Sequence, residues 1–349
     1  MPANKNLISL LACTALVFAC TSGNVRHGQD QTANNLQWPD LPQQARIKYL
    51  YSVSEPADLG IRQGFWGRTW RFIQGKKQYN KLVKPMGVHV DQEGRIYVAD
   101  IERKKIHVFD HENLKYHSFP KDPLPGFLSP VDITSDNQGR IYVSDSASKR
   151  VHVFIDSGKR YLQALGDEYF ERPTGLATRQ DGGQLLVVDT LASRITVIDT
   201  ADFSVQQHVG GDGVGDAELH YPTSIAVTDD GYILVTDSLN FRIQILNSRF
   251  EFVDQFGEIG DGPGYFSRPK GVAVDSDGNV YVVDALFDNV QIFNQQGELL
   301  MALGSSGHAA GEFWLPNEIF IDSSDRIYVS DAYNARVQVF QYLGEGGQP

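Results

Sequence analysis

The sequence is poor in cysteine and in basic residues. Only two of its 349 residues are cysteines, Cys13 and Cys20, so residues 21–349 offer no disulfide framework, thiolate metal site or cysteine nucleophile. Lys and Arg number 31 against 43 Asp and Glu, which gives a net charge of −12. This balance argues against a nucleic-acid partner, because phosphate contacts need clustered Lys and Arg.

Long apolar runs are also scarce, and the clearest one lies at the N-terminus. It spans thirteen residues, 7–19, and follows the positive charge of Lys5. A membrane-spanning helix needs about 20 apolar residues, so this run is too short to be one. Its length and flanks are those of a signal peptide, which we assign to residues 1–19.

The end of this run, VFAC at residues 17–20, resembles the lipobox of bacterial lipoproteins. The resemblance implies lipidation of Cys20 and membrane attachment through a lipid anchor, and Thr21 behind it implies the periplasmic face of the outer membrane. An ordinary cleaved signal peptide is the alternative. Residues 20–45 are rich in Asn, Gln, Ser and Gly, so we predict a flexible tether there.

A repeat of 43 to 49 residues fills most of the remaining chain. Each unit opens with a proline and continues with alternating β-branched strands separated by short polar turns; the prolines are Pro85, Pro130, Pro173, Pro222, Pro269 and Pro316. Four short strands per unit of this length are typical of propeller blades. We therefore predict an all-β fold, a six-bladed β-propeller of four-stranded antiparallel blades.

The last repeat ends after its third strand, near residue 343, and a spare strand precedes the first repeat at residues 46–54. We predict that this N-terminal strand completes the last blade and closes the ring, because closure protects sheet edges. The propeller then spans residues 46–343, and residues 344–349 form a C-terminal tail.

Two connectors, residues 257–269 and 304–316, resemble the inter-blade linkers of NHL-repeat proteins, and the resemblance covers about residues 84–343. Asp followed five residues later by Arg recurs, as in Asp237 and Arg242 or Asp331 and Arg336. Because it recurs once per blade, we interpret the pair as structural. We expect the Asp to accept backbone N–H bonds and the Arg to pair with a carboxylate of the adjacent blade.

Propellers bind ligands at the mouths of the central channel, and the residues just after the repeat prolines lie there. Most blades have Gly or a small residue at these places, but charged and hydrogen-bonding residues interrupt the pattern. We predict a ligand site at one channel mouth, formed by Asp132, Thr174, Thr223, Ser224, Lys270, Asn317 and Glu318. The alternative is a solvated polar rim without a ligand.

No catalytic set stands out in the sequence, and we expect a binding protein rather than an enzyme. NHL-type lyases hold zinc on His residues just after such prolines, but no His stands there in this chain. Gluconolactonase-like propellers hold a divalent cation on oxygen ligands, which Asp132, Asn317 and Glu318 resemble in part. We therefore predict no cofactor, and a bound divalent cation such as calcium is the alternative.

Residues 61–84 interrupt the repeat pattern with a basic, aromatic insertion. Trp and Arg are favoured in protein interfaces, so we predict partner contacts from Phe65, Trp66, Arg68, Trp70 and Arg71. Packing over a propeller face and contact with an anionic membrane are the alternatives.

Together these features favour a protein-binding or scaffolding lipoprotein of the cell envelope, with an envelope protein as its partner. Two alternatives stay open. One is a metal-dependent hydrolase or lyase, lactonase-like, acting at the channel mouth. The other is a carbohydrate or peptidoglycan binder that uses exposed aromatics such as Trp314 and Tyr333. The sequence leaves the oligomeric state open.

Overall fold

The computed structural model describes residues 36–39, 43–61, 80–166 and 168–344. These residues form a six-bladed β-propeller, as predicted, and their one helical element is a short 3₁₀ helix at Pro56–Leu59. No helix in this described part is long and apolar enough to cross a membrane. The signal peptide, Cys20 and the predicted contacts Phe65, Trp66, Arg68, Trp70 and Arg71 lie outside the described residues.

The strands follow the repeats. Before the first blade come β1 (Gln37–Trp38) and β2 (Ile47–Val53). The first two blades are β3 (Pro85–Val90), β4 (Ile96–Asp100), β5 (Lys105–Asp110) and β6 (Lys115–Phe119), then β7 (Pro130–Ser135), β8 (Ile141–Asp145), β9 (Arg150–Ile155) and β10 (Arg160–Leu165). The next two are β11 (Pro173–Thr178), β12 (Gln184–Asp189), β13 (Arg194–Asp199) and β14 (Val205–Gly210), then β15 (Ile225–Val227), β16 (Ile233–Asp237), β17 (Arg242–Leu246) and β18 (Phe252–Phe256).

The fifth blade is β19 (Pro269–Val274), β20 (Val280–Asp284), β21 (Asn289–Phe293) and β22 (Leu299–Leu303). A short parallel pair, β23 (Ser305–Ser306) and β24 (Glu312–Phe313), lies in the following connector. The sixth blade contains β25 (Pro316–Ile321), β26 (Arg326–Asp331) and β27 (Arg336–Tyr342).

The N-terminal strand closes the ring, as predicted. Strand β2 pairs antiparallel with β27, with Tyr49 opposite Phe340. Strand β1 adds a fifth strand to this blade, and the Trp38 ring lies 5.6 Å from that of Phe340. Since Gln37 and Trp38 fall inside the predicted tether of residues 20–45, the packed part of the chain begins earlier than expected.

The core consists of apolar layers between neighbouring blades. One such layer joins Leu234 and Ile243 of the fourth blade to Val272 and Val280 of the fifth, all at most 3% exposed. Burial of each blade on both faces supplies the hydrophobic free energy that an isolated blade would lack, at about 25 cal/mol per Å² of apolar surface.

Each blade carries one fully buried aspartate at the end of its second strand; the six are Asp100, Asp145, Asp189, Asp237, Asp284 and Asp331. In the fifth blade, Asp284 accepts hydrogen bonds from the backbone N–H groups of Ser267 and Arg268, at 2.7 and 3.1 Å. These bonds fasten the incoming connector to the blade, which confirms the structural interpretation of the repeated Asp.

The predicted partner of the repeated Arg was wrong. Arg242 donates from Nε to Asp237 at 2.8 Å, and Arg336 donates to Asp331 at 2.8 Å, each within its own blade. The reason is the strand register, because the first residue of the third strand lies directly opposite the aspartate in the ladder.

Candidate functional site

The innermost strand of each blade bends just after its proline. In the second blade Pro130 pairs with Asp145, but the next paired residue is Ile133, so two residues leave the ladder. The same shift follows the proline in the first, third, fifth and sixth blades. These residues are therefore free to approach the channel axis.

Glycine and polar residues alternate at the second position after the proline. The first, third and fifth blades have glycine, and the second, fourth and sixth have Asp132, Ser224 and Glu318, which we call the axial trio. A Cβ on Gly87, Gly175 or Gly271 would lie 2.7, 2.7 and 2.9 Å from the Cα of Asp132, Ser224 and Glu318 respectively. Glycine in alternate blades thus makes room for the axial trio.

The members of the axial trio are buried and hydrogen bonded around the channel. Ser224 Oγ donates to Glu318 Oε1 at 3.0 Å, and this bond joins the fourth blade to the sixth. The backbone N–H of Ile319 donates to the same oxygen at 3.2 Å, and that of Leu176 donates to Asp132 Oδ2 at 2.8 Å. Glu318 is 7% exposed, and both described hydrogen bonds to its side chain end on Oε1.

Burial changes the protonation of both carboxylic acids. It raises the pKa of Asp132 to about 7, against the opposing effect of the Leu176 N–H bond. It also raises the pKa of Glu318 well above its usual range, and the neighbouring charge of Asp132 adds to that rise. The two acids act as one coupled pair, so ionising one disfavours ionising the other.

A cavity of 870 Å³ extends from the axial trio to the turns that follow the innermost strands. Aliphatic residues such as Ile133, Leu176, Ile225 and Val272 contribute to its walls, together with His89 and Phe320. Towards the opening it is lined by acidic side chains, namely Asp229, Asp230, Asp254, Asp275, Asp277, Asp322 and Asp325. No Lys or Arg lines this cavity within the chain that the structure describes.

The acidity belongs to one half of the ring. In the first two blades the turn aspartates Asp91 and Asp136 form 2.6 Å salt bridges with Arg95 and Arg140, four residues further on. In the fourth and fifth blades the position of that Arg holds Tyr232 and Asn279, whereas the sixth blade keeps Arg326 there beside Asp322. Comparing this turn position between repeats would therefore have indicated the fourth and fifth blades as acidic, but not the sixth.

The structure divides the predicted site residues into two groups. Asp132, Ser224 and Glu318 line the cavity, whereas Thr174, Thr223, Lys270 and Asn317 do not. Thr174 Oγ1 lies 2.8 Å from Thr190 Oγ1, Thr223 Oγ1 donates to the Lys270 carbonyl at 3.4 Å, and Asn317 Nδ2 donates to the Met86 carbonyl at 3.5 Å. Backbone bending therefore separates adjacent residues that the repeat pattern had placed in one ring.

Lys270 has a different environment from the axial acids. Its pKa falls to about 8 because burial disfavours the ammonium, and the charges of Arg268 and Arg172 lower it further. The nearby Glu318 carboxylate only partly offsets this. Glu318 therefore has a cationic neighbour, Lys270, that does not line the cavity.

The predicted cation ligands do not assemble into one site. Asn317 bonds to the Met86 carbonyl and does not line the cavity that Asp132 and Glu318 line. Among the described residues, no group of three or more His, Cys, Asp or Glu side chains is placed to hold a metal ion. Trp314 and Tyr333 are 43% and 49% exposed, with ring centroids 5.4 Å apart, and also lie outside the cavity.

Sequence reasoning did not select His89. Its Nε2 lies 2.7 Å from Ser135 Oγ, and burial lowers its pKa to about 4. The imidazole is therefore neutral at the pH of most environments and contributes polarity rather than charge to the cavity wall.

This arrangement of blades, connectors and buried aspartates defines a six-bladed β-propeller. Two segments, residues 127–154 and 219–246, match the family model described as NHL repeat. A second model, DUF5128, described as a 6-bladed beta-propeller, matches residues 275–348. A search of curated proteins gave no match.

Solved structures show the same fold at low sequence identity. A virginiamycin B lyase from Staphylococcus aureus is 13% identical, with a TM-score of 0.56, 84% of this chain covered and 99% of that one. An auxiliary nutrient binding protein from Bacteroides thetaiotaomicron is also 13% identical, with a TM-score of 0.59 and coverage of 75% and 69%. A structural genomics protein of unknown function from the same organism reaches a TM-score of 0.62 at 13% identity, with coverage of 84% and 75%.

Proposed function

We propose that this protein is a binding propeller whose ligand carries positive charge and enters the acidic cavity. The observation that carries the proposal is the charge of the lining, which includes nine carboxyl groups and neither Lys nor Arg. A concave, partly apolar wall concentrates the field of such charges, so the cavity attracts cations and repels anions.

The floor of the cavity supports the same proposal. Glu318 lines the cavity, and within the described chain both hydrogen bonds to its side chain end on Oε1. Its Oε2 is therefore open to a donor from a ligand in the cavity, and a hydrogen bond from a charged ligand to a carboxylate is a strong one. The aliphatic walls further suit a ligand with an apolar body next to its charge.

The fold does not decide between binding and catalysis, since the solved structures of this shape include both a lyase and a nutrient binding protein. Identities of 12–14% to the lyases carry no activity over to this chain. The proposal therefore stands on the cavity.

The test uses three probes with the same five-carbon chain and different charge. Isothermal titration of the purified protein at pH 8 and low salt should detect binding of cadaverine, a dication, but not of 1,5-pentanediol or glutarate. Glutarate or pentanediol binding as tightly as cadaverine would overturn the proposal, and so would the failure of cadaverine to bind at millimolar concentration.

We also propose that the protein acts in the cell envelope, held there by a lipid on Cys20. The support is the sequence at residues 17–20. Labelling of cells with a radioactive fatty acid should mark the wild-type protein and not Cys20→Ala. An unlabelled wild-type protein would contradict the anchor.

A scaffolding role is the second candidate, because apolar residues stand exposed at the end of the propeller opposite the cavity. Two residues after the repeated aspartate, the third to sixth blades carry Leu191, Leu239, Leu286 and Tyr333, each 44–56% exposed. These loops follow the second strand, whereas the cavity opens at the turns before it. In-cell crosslinking should capture one dominant envelope protein that Leu239→Gln with Leu286→Gln loses; equal capture by both forms would contradict this role.

A further inference from the structure

We propose that the axial trio selects a primary ammonium group, as opposed to other cations. This inference rests on the proposed cation-binding function and adds which cation the floor of the cavity accepts. The observation behind it is that Asp132, Ser224 and Glu318 come from the second, fourth and sixth blades and all three line the cavity.

Alternate blades of a six-bladed ring are a third of a turn apart. Three oxygen-bearing side chains from alternate blades therefore surround the axis with approximate threefold symmetry. A primary ammonium carries three N–H donors with the same symmetry and no acceptor. An ammonium entering along the axis can then donate one hydrogen bond to each member of the axial trio.

The existing hydrogen bonds leave acceptors available for this role. Ser224 Oγ uses its only hydrogen on Glu318 Oε1 at 3.0 Å, so its remaining capacity is as an acceptor. The backbone N–H of Val272 donates to Ser224 Oγ, but at the long distance of 3.4 Å. Both described hydrogen bonds to the Glu318 side chain end on Oε1, which leaves Oε2 as an acceptor. Asp132 accepts from the backbone N–H groups of Leu176 and Ile133, and its two carboxylate oxygens have capacity for more than these two bonds.

The alternation of glycine keeps this floor accessible. At Gly271 a Cβ would lie 2.4 Å from Glu318 Oε1, and at Gly87 it would lie 2.6 Å from Asp132 Oδ1. Any larger residue would displace the carboxylates from where they now stand. The absence of a side chain at each glycine thus leaves space for an oxygen-bearing side chain of the neighbouring blade.

Other cations fit this floor less well. A quaternary ammonium has no N–H to donate, so it would leave the buried oxygens without a partner. A guanidinium is planar and presents its donors as a fork suited to one carboxylate in a bidentate pair. Three single acceptors around an axis match neither shape.

The closing experiment compares cadaverine with its bis-trimethylammonium analogue of the same chain length. Cadaverine should bind the wild-type protein about ten-fold more tightly or better, because charge-assisted hydrogen bonds are lost in the analogue. Equal affinities would overturn ammonium selection while leaving cation binding intact. Binding of neither probe would instead remove the proposed function itself.

Variants locate the effect on the axial trio. Ser224→Ala should weaken cadaverine binding and leave the analogue's affinity unchanged, and Ser224→Thr, which keeps the hydroxyl, should restore it. Thr223→Ala is the matched control, because Thr223 is adjacent to Ser224 in sequence but its side chain does not line the cavity. Equal losses of both probes in Ser224→Ala, with the thermal unfolding transition retained, would contradict hydrogen-bond selection by this residue.

The same titrations identify the source of the ammonium. An acetylated and amidated tripeptide, Gly-Lys-Gly, presents a lysine ammonium without a free terminus. If it binds as tightly as cadaverine, the site takes a lysine side chain of a peptide or protein; if only cadaverine binds, the site takes a small amine. Should neither primary amine bind better than the bis-trimethylammonium probe, the inference fails.

Discussion

Two sets of buried carboxylates in this propeller differ in what their surroundings provide. Asp284, one of the six repeated aspartates, accepts backbone N–H bonds from Ser267, Arg268, Leu286 and Phe287 at 2.7 to 3.3 Å. Multiple donors around an ionised carboxylate offset the cost of taking it out of water. This set therefore fastens each incoming connector to its blade.

The axial acids have fewer hydrogen-bond donors. Asp132 and Glu318 are 6% and 7% exposed, and burial raises the pKa of both, as it also does for Asp331 among the repeated aspartates. They occur once each, at positions where the other blades have glycine or serine. The comparison teaches that residues repeated in every blade serve the fold, whereas exceptions to the repeat form the candidate site.

The largest effect should come from removing a repeated aspartate. Asp331→Ala leaves the Trp314 N–H, Asn334, Arg336 and Gln338 without their acceptor. Loss of one partner from a buried ion pair costs about 3–5 kcal/mol of unfolding free energy. Urea unfolding of variant and wild type measures this. Asp331→Asn keeps an acceptor oxygen, so its unfolding free energy should fall less. A loss below 1 kcal/mol in Asp331→Ala would contradict the claim that the repeated aspartates stabilise the fold.

Overpacking the axis should have the next largest effect. Gly271→Ala places a Cβ 2.7 Å from the backbone nitrogen of Ile319 and 2.4 Å from Glu318 Oε1. Backbone must shift, so we expect a loss of about 1–3 kcal/mol and weaker cadaverine binding. Gly262→Ala is the control, since its Cβ would meet nothing closer than 3.4 Å. If both variants unfold and bind like the wild type, the glycines do not shape the site.

Much of this architecture follows from the sequence, because a repeat reports each structural feature six times. The blades, the closing strand β2 and the buried repeated aspartates could all be predicted from alternation and spacing. That Ser224 lines the cavity and Thr223 does not could not be predicted, because it depends on how the backbone leaves the hydrogen-bonded ladder after the proline. The acidic cavity was also missed, because it arises from turns that are distant in sequence and meet only when the ring closes.

The axial acids should lower the unfolding free energy of the protein as pH rises. The native state holds the Asp132 proton up to about pH 7, whereas an unfolded Asp loses it near pH 3.9. The native state thus binds more protons between these values, so the unfolding free energy falls as pH rises through that window and is level above it. Glu318 shifts in the same direction.

Asp132→Asn with Glu318→Gln should remove this slope. Relative to the wild type, the double variant should gain stability between pH 4.5 and pH 8, on the order of 3 kcal/mol. Urea unfolding at both pH values gives the difference, and other titrating groups cancel between the two proteins. Parallel stability profiles would show that the axial acids are as well satisfied as the repeated aspartates.

The smallest effect should come from the cavity opening, which contrasts with its floor in exposure. Asp230 is exposed and acts on an entering cation through water, so Asp230→Asn should weaken cadaverine binding less than about five-fold. Salt at 0.5 M should abolish this small effect but leave the larger effect of Glu318→Gln, because buried charges are screened less. Asp202→Asn, an exposed residue outside the cavity, serves as the control. A salt-resistant effect of Asp230→Asn would place direct ligand contact at the opening and not at the axial trio.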